Sequence, residues 1–196
     1  MGKLVNELSW SASRGKSFRE CARSYWFHYY GSWPGWETFA PERTRLLYLL
    51  KQMTNLDIFV GNVVHRVIEE ACQMAKSGKP PTLEVTRERG THLLREGWKE
   101  SKDGTWKEKP KGTVNLFEHY YDTFVPPTKT DAVKKKAMDC LAGFFSSKEW
   151  QVIRALPADA WLAMEELDSF PMDGTKAYAK PDLAIRVGDR VKLYDW

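Results

Sequence analysis

The chain has 196 residues, 30 Lys and Arg against 26 Asp and Glu, a formal net charge of +4 and three cysteines. That length suits one domain around one sizeable core, and an odd number of widely spaced cysteines excludes a disulfide framework and points to a reducing, cytoplasmic setting. No run is apolar enough for a membrane span or, near the start, for a signal peptide, and the mild positive charge permits a polyanionic partner without requiring one.

Ser13 is placed to cap a helix reaching Gly31, with Phe18, Cys21, Ala22, Tyr25 and Tyr29 as its apolar stripe. Lys16, Arg19 and Arg23 lie opposite, a basic face that can track a phosphate backbone or simply be solvated. Trp33-Pro34-Gly35-Trp36 reads as a turn. The aromatics around it, Tyr30, Trp33, Trp36 and Phe39, suit packing first and base stacking second. Pro41 opens a helix to about Met53, buried on one side through Leu46, Leu47, Leu49 and Leu50. Residues 56–77 predict an amphipathic helix with Val60, Val64, Val67, Ile68, Ala71 and Ala75 as the stripe and His65 on its border. A histidine at such a border is read as structural from its position alone. Gly61, one turn earlier, would let another element approach closely.

Gly78 to Pro81 breaks the chain, residues 82–99 read as a polar helix, and residues 101–112 as a lysine-rich solvated loop around Trp106. Val114 to Phe124 looks helical and is stopped by Pro126-Pro127. Thr130 then caps a helix with the stripe Val133, Ala137, Cys140, Leu141, Phe144 and Phe145, so that Cys72 and Cys140 both read as packing residues. The texture turns extended from Ala160. A strand over 161–167 carries Glu165 and Glu166, Asp173-Gly174 is a turn, and Tyr178 leads into the last hairpin. There, Leu183 to Val187 and Val191 to Tyr194 flank Gly188-Asp189, a two-residue loop. The register pairs Val187 with Arg190, Ala184 with Leu193 and Asp182 with Asp195. Two convergent carboxylates suit a hard divalent cation, Mg²⁺ above all; the other reading is an exposed hairpin with Asp182 neutralised by Lys180 or Arg186. Helices over 1–155 followed by strands over 160–196 make an α/β chain, read as one domain over 1–196.

Pro181-Asp182, a hairpin, and then Asp195-Trp196 resembles the signature of the PD-(D/E)XK nuclease superfamily, in its RecB-like and CRISPR-adaptation-nuclease-like branch. The first helix with Ser11-Ala12-Ser13, Cys21-Ala22-Arg23 and Tyr25, and the G-x-x-x-H-x-x-x-E pattern from Gly61 through His65 to Glu69, are similar to further anchors of that branch. The resemblance runs from about Ser9 to Trp196. It implies a restriction-endonuclease-like core, a mixed sheet flanked by helices with a helical amino-terminal half, and a sheet left incomplete where the chain stops before the catalytic lysine expected after Trp196. It implies Mg²⁺- or Mn²⁺-dependent hydrolysis of DNA, with His65, Asp182, Asp195 and the backbone carbonyl of Trp196 as metal ligands and Asp182 and Asp195 as catalytic acids. An accessory acid upstream is Glu165 or Glu166. Lys16, Arg19 and Arg23 are the expected nucleic-acid contacts. The partners implied are DNA and a helicase or recombination protein, in repair, recombination or defence. An iron–sulfur cluster through Cys21 would need cysteines beyond Trp196. The alternative function is a non-catalytic module that binds nucleic-acid ends or serves a helicase as scaffold, and a chain without the lysine is expected to be weakly active or inactive.

Overall fold

The computed structural model describes residues 5–196. The first four residues, part of the stretch read as lacking a signal peptide, lie outside the described residues. The elements are β1 (Ser9–Trp10), α1 (Ala12–Glu20), α2 (Ala22–Trp26), α3 (Glu42–Lys51), α4 (Leu56–Lys76) and α5 (Leu83–Asp103). They continue as α6 (Phe117–Tyr120), α7 (Pro127–Ser146), α8 (Lys148–Ile153), β2 (Trp161–Met164), β3 (Asp168–Met172), β4 (Thr175–Ala179), β5 (Leu183–Val187) and β6 (Arg190–Tyr194). Among the described residues the chain is thus α/β, with two small sheets. Its residues pack as two compact units, one running up to Gln52 and including Glu166–Lys180, the other made of Met53–Glu165 and Pro181–Trp196. No helix among the described residues is long and apolar enough to cross a membrane.

In the unit that starts the chain, β1 lies parallel to β4 and β3 lies antiparallel to it. The single helix expected from Ser13 to Gly31 is in fact three pieces. Ser11, not Ser13, caps α1 by accepting from the Arg14 N–H at 3.2 Å. Cys21 then leaves the helical region, and its sulfur accepts from the Ser24 N–H at 3.4 Å to open α2. A π-helical turn over Phe27–Gly31 completes the run. The break undoes the continuous stripe, so Phe18 and Cys21 are exposed. The third helix, α3, begins after Pro41 as expected, but its buried residue is Tyr48, and Leu46 faces solvent. Gly35 is what lets α3 come in close, because a Cβ there would collide with the Tyr48 Cβ and stand 2.6 Å from the Thr44 carbonyl oxygen.

The second unit holds the core. Its centre is α4, capped by Asn55, whose side chain accepts from the Ile58 N–H at 2.8 Å. Val60, Val67, Ile68, Ala71, Cys72 and Ala75 are buried along it. Burial pushes the Cys72 thiol up to about 12, so it stays a neutral packing group. The polar helix expected over 82–99 is α5, which runs on to Asp103, and two glycines fit it into the core. A Cβ at Gly97 would strike the Phe59 ring, and one at Gly90 would sit 3.3 Å from Leu141 Cδ1. The close approach expected at Gly61 therefore belongs to Gly97; Gly61 is exposed, with nothing within 4 Å of an added Cβ.

Three further sequence readings change. Pro126-Pro127 opens a helix rather than only ending one: Pro126 is the cap of α7 and Pro127 its first residue, where a missing N–H costs nothing. Val133, Ala137 and Leu141 are buried along α7 while Cys140 is exposed. Trp106 is buried rather than part of a solvated loop, its indole N–H donating to the Ser101 carbonyl at 3.2 Å. Against these helices packs the antiparallel sheet β2-β5-β6, with Leu183 and Ile185 of β5 fully buried in the same cluster as Val67, Leu141 and Trp150. Tyr178 belongs to β4 in the first unit, so the final hairpin starts at Leu183.

Candidate metal centre

Three segments of the second unit bring one side chain each to a common point. His65 stands in the third turn of α4 at the edge of its buried stripe. Burial of Val67 and Ile68 beside it fixes the rotation of the helix, and so the direction of the imidazole. Asp182 stands just before β5, whose next three residues are buried. Glu165 follows β2 directly. The β2–β5 ladder shifts register between Trp161 and Ala163, and Glu165 itself adopts a left-handed backbone, with φ 55°. A shift of this kind bends a strand and re-aims its side chains, and a left-handed residue other than glycine carries a strain of about 1–3 kcal/mol. The turn is held by the Glu165 N–H, which is shared between the carbonyls of Pro181 and Asp182 at 3.2 Å each.

The result is a compact triad. His65 Nε2 lies 3.1 Å from Asp182 Oδ2 and 3.3 Å from Glu165 Oε1. One ligand atom from each of the three residues falls within 4.8 Å of the others. The two carboxylates are nearly enclosed, with side chains 9% and 11% exposed for Glu165 and Asp182, whereas His65 is 32% exposed and opens the group to solvent on one side. His65 Nε2 carries at most one hydrogen, which can be donated well to only one of the two carboxylates. Two enclosed carboxylates this close together favour a cation between them. One nitrogen and two carboxylate oxygens make a hard, mixed donor set, which fits Mg²⁺ or Mn²⁺ and, through the imidazole, softer divalent ions as well.

The predicted site residues separate cleanly. His65 and Asp182 meet, and Trp196 joins them: its backbone N–H donates to Asp182 Oδ2 at 2.9 Å, and its ring centroid lies 5.9 Å from that of His65. Of the two glutamates left open by the sequence, Glu165 is in the group and Glu166 is exposed. Asp195 is exposed and stands outside the group. The β5–β6 ladder follows the expected register from Val187↔Arg190 to Leu183↔Tyr194 and ends one pair before the two aspartates. Asp182, freed from that pairing, takes the Trp196 N–H and faces α4. Lys16 and Arg19 lie on α1 and Arg23 on α2, all exposed in the first unit; Lys16 reaches Glu20 at 3.9 Å, and Arg23 lies over the Phe27 ring at 5.7 Å. The interruption at Cys21 divides them between two helices, so they do not form one continuous face.

Comparison of the chain with protein-family models, with curated proteins and with solved structures finds no match.

Proposed function

We propose that this protein is a metal-dependent nuclease of the PD-(D/E)XK kind, its second unit built on a restriction-endonuclease-like plan and its substrate the phosphodiester backbone of DNA. The observation that carries this reading is the meeting of His65 on a long helix with Asp182 and Glu165 on adjoining strand ends, all within 4.8 Å. In this reading Asp182 and Glu165 supply anionic oxygens and His65 a nitrogen to one Mg²⁺ or Mn²⁺. A divalent ion there would polarise the scissile phosphate and lower the pKa of an attacking water. The Trp196 N–H donates to Asp182 Oδ2, the oxygen that also faces His65, and so fixes the orientation of that carboxylate. Enclosure of the two carboxylates keeps competing water away, and the exposed flank of His65 is where a phosphate can enter. Glu165 takes the second carboxylate position that the family pattern places at Asp195. Asp195, exposed just past the end of β6, is left to face solvent or substrate.

The test is calorimetric titration of Mn²⁺ into the wild-type chain and into His65→Ala, Glu165→Gln and Asp182→Ala, with cleavage of a labelled DNA duplex followed alongside. Saturable binding by the wild type, weakened about tenfold or more in each variant, is expected. Equal binding by wild type and variants would make the triad a structural contact rather than a metal site. Because a chain without the lysine is expected to cleave weakly at most, metal binding is the deciding readout, and any cleavage by the wild type should be lost in all three variants.

A further inference from the structure

Gly90 draws α5 against α7, its missing side chain making room for Leu141 and Met138. Further along the pair, toward Trp98 on α5 and Thr130 on α7, the same two helices leave a cleft of about 390 Å³. One face of each of three helices lines it, because the residues recur at helical spacing: Leu56, Phe59 and Val60 on α4, Leu94 and Trp98 on α5, and Val133 on α7. Those of α4 and α7 are buried and form the floor, while Leu94 and Trp98 are half-buried and form a wall. The volume falls within the range of small-molecule sites, roughly 300–1,000 Å³. Water on such a floor finds few polar partners, so an apolar group that displaces it gains free energy.

The mouth of the cleft is charged. Arg95, Asp131 and Lys134 stand there, all three exposed. Other cations of these helices are already engaged: Arg89 holds Glu70 at 2.8 Å, Lys129 holds Asp57 at 2.7 Å and Lys135 holds Asp139 at 2.6 Å. Arg95 and Lys134 make no ion pair or hydrogen bond among the described residues. Since Asp57, the acid next to Leu56, is taken by Lys129, the mouth sets two cations against the single carboxylate of Asp131. A surplus of one positive charge over an apolar floor suits a ligand with an apolar body and one negative charge. The planar fork of Arg95 matches a carboxylate, and a second negative charge on the ligand would be opposed by Asp131.

We propose that this cleft is a binding site for a small amphipathic carboxylate, an aliphatic or aryl-aliphatic acid whose apolar body lies on Leu56, Phe59, Val60 and Val133 and whose carboxylate is held by Arg95 and Lys134. The site is separate from the triad, since neither His65, Glu165 nor Asp182 lines it, and it does not depend on the nuclease reading.

The experiment titrates hexanoate, octanoate and decanoate, each below its aggregation concentration, into the full chain by calorimetry, with octylammonium and 1-octanol as probes of the same tail and different head. Saturable binding of octanoate at one site is expected, with affinity rising about three- to fourfold per added methylene and octylammonium bound at least tenfold more weakly. Arg95→Gln and Lys134→Gln should each raise the octanoate Kd about fivefold or more, and Asp131→Asn should lower it. Lys99→Gln and Lys136→Gln, exposed lysines of the same two helices outside the cleft, should bind as wild type does. No saturable binding by the wild type would overturn the proposal. So would equal affinity for octylammonium and octanoate, or equal losses in the cleft and control variants, which would reduce the effect to diffuse surface charge. The head-group comparison is made on the wild type alone, so it decides even if a variant folds poorly.

Discussion

The two final hairpins of this chain are alike in construction and opposite in consequence. Each joins five-residue strands through two residues. Asp173-Gly174 takes positive φ at both positions, as a type I′ turn needs, and Gly188 alone supplies the positive φ of a type II′ turn. Yet β3 is exposed along its whole length, while Leu183, Ala184 and Ile185 of β5 are buried. The same contrast holds for the units that contain them. Among the described residues the first unit fully buries only Tyr48 and Ala177 of its apolar side chains, although it carries Phe18, Trp26, Trp36 and Phe39, all exposed. The second unit has a continuous core from Leu56 to Ile185. Turn chemistry makes a hairpin, but only a strand pressed on a packed helix holds a carboxylate 3.1 Å from a histidine.

The contrast can be broken most forcefully at Trp150, which is 1% exposed in the second unit. Trp150→Ala should lower unfolding stability by about 3–5 kcal/mol in urea titrations followed by circular dichroism, through lost burial and the cavity left behind. An effect below about 1 kcal/mol would show that this core is loosely packed.

A smaller effect is expected from the link between α4 and α5. Arg89 donates to both oxygens of Glu70, at 2.8 and 2.9 Å, and Arg66 donates to one of them at 3.1 Å. The Arg89 hydrogen bonds, more than Arg66, hold the Glu70 carboxyl below its ordinary range against the opposing effect of burial. A carboxyl depressed in the folded state binds its proton more readily when unfolded. Its contribution is therefore complete above the ordinary carboxylate pKa and fades as pH falls through the lower folded value. Partial exposure limits the loss in Glu70→Gln to about 1 kcal/mol at neutral pH, and the difference between wild type and variant should shrink in acid. A difference that grew in acid would reverse the sign of this account.

The smallest change sharpens the comparison from the other side. Phe39 is 97% exposed, so Phe39→Ser should move stability by no more than about 0.5 kcal/mol. A loss near that of Trp150→Ala would mean that the aromatic surface of the first unit is covered in solution.

The sequence by itself determined the elements whose signals are local. The helix expected over residues 56–77 follows from a 3.6-residue stripe, and the β5–β6 register follows from Gly188-Asp189, because a two-residue loop leaves no freedom in pairing. It also placed His65 at the border of α4. It could not show that α1 stops at Cys21, since a side-chain sulfur capping the next turn competes with an intact apolar stripe and both look the same in one dimension. Nor could it distinguish Glu165 from Glu166. That choice was made by a register shift in β2 and a left-handed backbone at Glu165, which depend on how β2 meets Pro181 and Asp182 across the sheet. Strand pairing and the family pattern both drew Asp195 toward the site, but the ladder ends at Leu183↔Tyr194, one pair before it. Gly61 and Gly97 are equally plain as letters, and only the packing of Phe59 against α5 shows which of them makes room inside the protein.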